Sequence, residues 1–104
     1  MTQIFVNYQA NSIRLTDERL EHILDHPEMV ELVTQIEVVL KKPQIVRQSR
    51  SDPQVHLYYC YYEQTMVGAK WLCVVVKQLD DDAFIITAYL TDKVKQGVDL
   101  WQSL

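Results

Sequence analysis

Three side chains able to move protons or hold anions fall on one side of a predicted helix. After Thr16, residues Leu20, Ile23 and Leu24 form an apolar stripe at helical spacing. At about 100° per residue, Arg19, His22 and His26 share a sector of about 60° beside that stripe. Glu18, Glu21 and Asp25 occupy a separate sector. Histidine titrates near neutral pH and serves as general acid or base. Arginine holds phosphate through paired hydrogen bonds. Three readings stay open. The residues are the solvated rim of a helix, with His26 capping the next one. Or His22 and His26, at i and i+4, are half a zinc site, although His56 is the only other histidine. Or one histidine serves phosphodiester cleavage with nearby cations.

A second constellation lies on predicted strands. Side chains alternate between the two faces of a strand. Val55, Leu57, Tyr59 and Tyr61 therefore share one face, and His56, Tyr58, Cys60 and Tyr62 the other. Phe84, Ile86, Ala88 and Leu90 are expected to face the helices. Ile85, Thr87, Tyr89 and Thr91 are expected to face away. If Arg47, Ser49, Thr87, Tyr89 and Thr91 gather on a free face, they offer a cation, hydroxyls and an aromatic platform for a phosphate backbone with stacked bases. Arg50 and Lys70 are candidate substrate-binding cations beside them. Strand-forming residues on a solvated face are the plainer reading.

The elements that must position these groups follow from the hydrophobic period. Residues 4–8 read as a short strand. Thr16 is a candidate N-cap, with Asp17 and Glu18 in the first turn. The His26–Pro27 step ends the first helix, and Pro27 opens a second. Met29, Leu32, Val33, Ile36, Val39 and Leu40 line the second helix, which Pro43 stops. The period then changes to two, predicting strands over 44–50, 55–63, 70–79 and 83–91. Short connections make these an antiparallel meander, with Asp80, Asp81 and Asp82 as one turn. Residues 92–101 have room for a last short helix broken by Gly97. The expected fold is α+β: one domain over residues 1–104, with two N-terminal helices followed by a four-stranded antiparallel sheet.

Composition narrows the classes. The chain has 104 residues, 48% hydrophobic and 23% charged, which excludes a disordered chain and a coiled-coil rod. No run approaches the about 18 apolar residues of a membrane helix, and the first residues lack a signal-peptide pattern. The expected compartment is the cytoplasm. Cys60 and Cys73 then read as reduced, buried thiols, with a cross-strand disulfide as the alternative. Residues 1–37 hold two basic and seven acidic side chains, and residues 38–104 hold eight and seven. Lys41, Lys42, Arg47 and Arg50 form a basic stretch with no acid between Val38 and Ser51. The stretch reads either as a small anion-binding patch or as helix-end lysines followed by solvated strand residues. The net charge of −4 argues against strong, nonspecific nucleic-acid binding. No phosphate-binding glycine loop, nucleophile elbow or zinc-protease motif occurs, and no cofactor is implied.

The segments LTDERLEHILDHPEM, SDPQVHLYY, KWLCVVVK and FIITAYLTD together resemble the small bacterial and phage-associated proteins of the Barnase–EndoU–Colicin–RelE class. The resemblance runs from about Ile13 to Trp101. It implies a toxin-like, metal-independent endoribonuclease in which the ribose 2′-hydroxyl attacks its own phosphate. Carried over by motif, His22 is the first choice for acid or base, with His26 beside it. Arg19 or Arg47 holds the phosphate, and Thr87, Tyr89 and Thr91 supply hydroxyls. The implied partners are RNA and a cognate antitoxin. The alternative is a noncatalytic interaction domain with a degenerate nuclease fold. It would dimerise or dock through a sheet edge or the apolar segment 98–104. A clustered Arg19–His22–Arg47 site favours the enzyme; dispersed side chains and a large apolar patch favour the interaction domain.

Overall fold

A computed structural model describes residues 1–103; Leu104, the last residue of the apolar C-terminal segment, lies outside the described residues. The chain runs β1 (Gln3–Val6), β2 (Ser12–Leu15), α1 (Asp17–Leu24), a 3-10 helix (Pro27–Leu32) and α2 (Gln35–Lys41). It continues through β3 (Ile45–Ser49), β4 (Val55–Tyr62), β5 (Lys70–Gln78), β6 (Ala83–Thr91) and β7 (Gly97–Gln102). All seven strands join one sheet in the order β1-β2-β6-β5-β4-β3-β7. The sheet is mixed, because β2 runs parallel to β6 while the other pairings are antiparallel.

This corrects the expected fold of two helices followed by a four-stranded antiparallel sheet. The meander β3–β6 lies within the expected bounds, but three further strands flank it. A hairpin of β1 and β2 precedes the helices. Its turn is closed by Asn7, which is only 3% exposed. The Asn7 Oδ1 accepts from the Gln9 and Asn11 amides at 3.0 and 2.9 Å, and its Nδ2 donates to the Tyr58 hydroxyl at 3.1 Å. At the other end, residues expected as a short helix are strand β7 along β3. Helix propensity is a weak prior that tertiary pairing overrides.

The Thr16 Oγ1 caps α1 by accepting from the Arg19 amide at 3.3 Å. His26 is extended, as a residue before proline must be, and its side chain makes no cap bond. The second helical stretch is broken into the 3-10 turn and α2, but Met29, Leu32, Ile36, Val39 and Leu40 still face inward.

The helices cover one face of the sheet. Val46, Tyr58, Cys60, Leu72, Val74, Val76, Ile85 and Ala88 meet Ile23, Met29 and Ile36 in the main core. The expected parity of β6 is corrected here. Val75 pairs with Thr87 but Val76 pairs with Ile85, so Ile86 is the extra residue of a bulge. A bulge moves every residue beyond it to the opposite face. Ile85, expected to face away, is therefore buried under the helices. Phe84, expected among them, faces away beneath the Arg14 guanidinium.

Four antiparallel steps separate β6 from β7, so the two strands run in the same direction. The short connection 92–96 must cross the sheet diagonally to join them. It passes over the face opposite the helices, where Val94 packs on Leu57, Tyr59 and Cys73. Gly97 ends this strap. A Cβ built there would run into the Gln48 carbonyl oxygen, so only glycine lets β7 lie against β3 at that point.

Candidate active site

The strap sits over a connected group of polar side chains. Tyr59 on β4 and Cys73 on β5 are register partners, and Tyr89 on β6 is opposite Cys73. All three point to the strap side, where register partners share a face. The Lys95 amide donates to the Tyr59 hydroxyl at 3.1 Å, and the Lys95 Nζ lies 5.8 Å from the centre of the Tyr89 ring. Arg47 on β3 donates from Nη1 to the Lys95 carbonyl at 2.9 Å and from Nε to Asp99 Oδ1 at 2.7 Å. Nη2 has no hydrogen-bond partner among the described residues. Thr91 starts the strap by accepting from the Lys93 amide and donating to the Lys93 carbonyl.

One group here is unsatisfied. Among the described residues the Tyr89 hydroxyl is buried with no hydrogen-bond partner, and the Cys73 thiol is its nearest titratable neighbour by effect. Burial raises the Tyr89 pKa, and the nearby Cys73 adds to that. The same two causes, in the same order, raise Tyr59. Burial pushes the Cys73 thiol up to about 11. At neutral pH all three are protonated and offer hydrogens, not negative charge. A buried hydroxyl without a partner costs about 1–3 kcal/mol, and such groups call for an explanation. A phenol with a free hydrogen, an ammonium and a guanidinium suit one ligand chemistry, an anion with several oxygens.

Comparison of the chain with family models, curated proteins and solved structures gives no match. The assignment of a site therefore rests on the chain's own geometry.

That geometry divides the residues singled out in the sequence. Arg47, Thr87, Tyr89 and Thr91 share the strap face by register, whereas Lys70, opposite Tyr62 and of one parity with Leu72, takes the helix side and pairs with Asp92. Ser49 bonds the Ser51 hydroxyl at 3.1 Å, and Arg50 is exposed after β3. Arg19, His22 and His26 are exposed on α1 and just after it. α1 buries Ile23 in the core on the helix face, so these three lie across the sheet from Arg47. The His22 and His26 rings are 6.3 Å apart, and His26 Nδ1 stands 3.6 Å from Glu28 Oε1. Among the described residues no group of three His, Cys, Asp or Glu could hold a metal ion. The cysteines are free and point to opposite faces of adjacent strands, which forbids a bond between them. Among the described residues no helix is long and apolar enough to cross a membrane.

Sequence reasoning passed over Tyr59, Lys95 and Asp99. Tyr59 carried a usable signal, since it shares parity with Leu57 on the face away from the helices. Lys95 and Asp99 carried none, because nothing in residues 92–101 announces a crossing of the sheet except Gly97.

Proposed function

We propose that the protein is a metal-independent endoribonuclease of the toxin-like class its sequence resembles, with the reacting phosphate held at the strap. The unpartnered Tyr89 hydroxyl, on the sheet face that also carries Arg47 and the Lys95 strap, supports this reading. In the proposed reaction the ribose 2′-oxygen bonds to phosphorus and the bond from phosphorus to the 5′-oxygen breaks, leaving a cyclic phosphate. The Asp99 carboxylate takes the proton from the 2′-hydroxyl. The Lys95 ammonium gives a proton to the departing 5′-oxygen. Arg47 and the Tyr89 hydroxyl stabilise the charge on the nonbridging oxygens. The histidines of α1 take no part in this version. The cytoplasm, where RNA is at hand, is the proposed compartment.

The test is cleavage of RNA by the purified protein, with and without a chelator, with the product ends identified. Chelator-resistant cleavage leaving 2′,3′-cyclic phosphate supports the proposal; a folded protein that cleaves no RNA opposes it.

A second reading, the noncatalytic interaction domain, is favoured by the dispersal of Arg19 and His22 from Arg47 across the sheet and by β7. This edge strand exposes Val98, Leu100 and Trp101, and its outer backbone is unpaired in the sheet. Such an edge accepts a strand from a partner. A cognate antitoxin would reconcile the two readings, and a stable homodimer of inactive protein would favour the second.

A further inference from the structure

On the other side of β3 and β7 from the strap, a cleft of about 500 Å³ opens between the β1–β2 turn, the end of α2 and β7. Its walls include Tyr8, Gln9, Lys41, Lys42, Gln44 and Trp101. Two features set it apart. The first is charge: Lys41 and Lys42 are exposed, and among the described residues neither enters an ion pair, whereas Arg14, Arg47, Lys70 and Lys77 each face a carboxylate. The lysines complement the C-terminal end of α2, but that interaction is weak and leaves their ammonium hydrogens available. The second is a wall of rings: Tyr8 and Trp101 stand with centroids 5.6 Å apart at 36°. The indole is fixed by a bond from its Nε1 to the Pro43 carbonyl at 3.3 Å, yet Trp101 remains 45% exposed.

An anion-binding pair beside an exposed, positioned ring matches a nucleotide, whose phosphate and base need those two partners at once. Gln44 and Ser103 line this cleft and also a cavity on the strap side that contains Trp71. The two openings thus adjoin at the end of β3 and β7. We infer that this cleft binds a flanking nucleotide of a single-stranded RNA, with phosphate at Lys41 and Lys42 and the base against Trp101. The inference rests on the endoribonuclease reading for its choice of ligand but uses none of the proposed reacting groups.

The experiment measures binding of a short 2′-O-methyl oligoribonucleotide, which cannot undergo 2′-hydroxyl attack, by fluorescence anisotropy across a salt series. Wild type is compared with Lys41→Gln/Lys42→Gln, Trp101→Ala and Arg47→Ala, each checked for an unchanged melting temperature. Trp101→Leu replaces Trp101→Ala if the latter fails to fold. The double lysine variant is expected to bind about tenfold more weakly, with a salt slope shallower by about 0.7, the value for one phosphate on a single strand. The Trp101 variant is expected to weaken binding by about tenfold. Affinity within twofold of wild type in the lysine variant, or no binding by wild type at low salt, overturns the inference. RNA cleavage measured in parallel separates the two proposals. Binding that depends on the lysines without any cleavage leaves the cleft standing and removes the nuclease. Cleavage that survives with binding indifferent to the lysines does the reverse.

Discussion

The two faces of the sheet are covered by different means. On one, α1, the 3-10 turn and α2 bury a large apolar set in which Tyr58, a deeply buried polar residue, has its hydroxyl bonded by Asn7. On the other, a short crossing segment covers Leu57, Tyr59 and Cys73 and leaves the Tyr89 hydroxyl without a partner. The helix face is organised for stability, with its polar groups satisfied and its apolar groups packed. The strap face keeps an unsatisfied donor on the face that also carries Arg47 and Lys95, and a buried donor without a partner costs stability. Local violations of this kind concentrate where function is.

The comparison breaks most readily at Gly97. Gly97→Val is expected to cost about 3 kcal/mol or more, the scale of forced overpacking, because β7 and the strap must leave Gln48. Urea unfolding checks this, and a variant as stable as wild type would show that the strap does not depend on close approach. Asn7→Ala probes the helix face. It removes three side-chain hydrogen bonds and strands the Tyr58 hydroxyl, with an expected loss of about 2–3 kcal/mol in the same assay.

Tyr89→Phe sharpens the contrast, because the two faces predict opposite signs. Removing a buried hydroxyl that has no partner is expected to raise stability by about 1 kcal/mol, while RNA cleavage falls. Equal loss of stability and cleavage would mean that the hydroxyl is structural. The smallest effect concerns His56. Burial lowers its pKa below the ordinary 6.5, so the unfolded chain binds the proton first. Its contribution is complete above about pH 6.5 and is lost as pH falls through the lowered value. The melting temperature is expected to drop slightly between pH 7 and pH 5, and His56→Gln is expected to reduce that drop.

Much of this organisation was legible in the sequence. The alternating β-branched and aromatic runs marked β3 to β6, and Thr16 and Pro27 marked where helical segments begin and end. β2 escaped notice because Ser12–Leu15 is too short to show a period. β7 escaped because Val98 and Trp101, three apart, read as helix as easily as strand. The bulge at Ile86 has no composition of its own, so parity alone placed Ile85 on the wrong face. For the site, parity brought Arg47, Thr87, Tyr89 and Thr91 to one face. It could not show that Arg19, His22 and His26, on α1 and just after it, lie on the other side of the sheet, because helix periodicity says which face a residue takes but not where the helix docks.

The central claim is that the chemistry belongs to the strap face and not to the histidines of α1. Its most direct test is the single-turnover rate of RNA cleavage by Arg47→Ala beside His22→Ala. The account predicts a fall of about 10²–10³-fold for Arg47→Ala and a rate within twofold of wild type for His22→Ala. Loss of cleavage in His22→Ala with Arg47→Ala unaffected would contradict it.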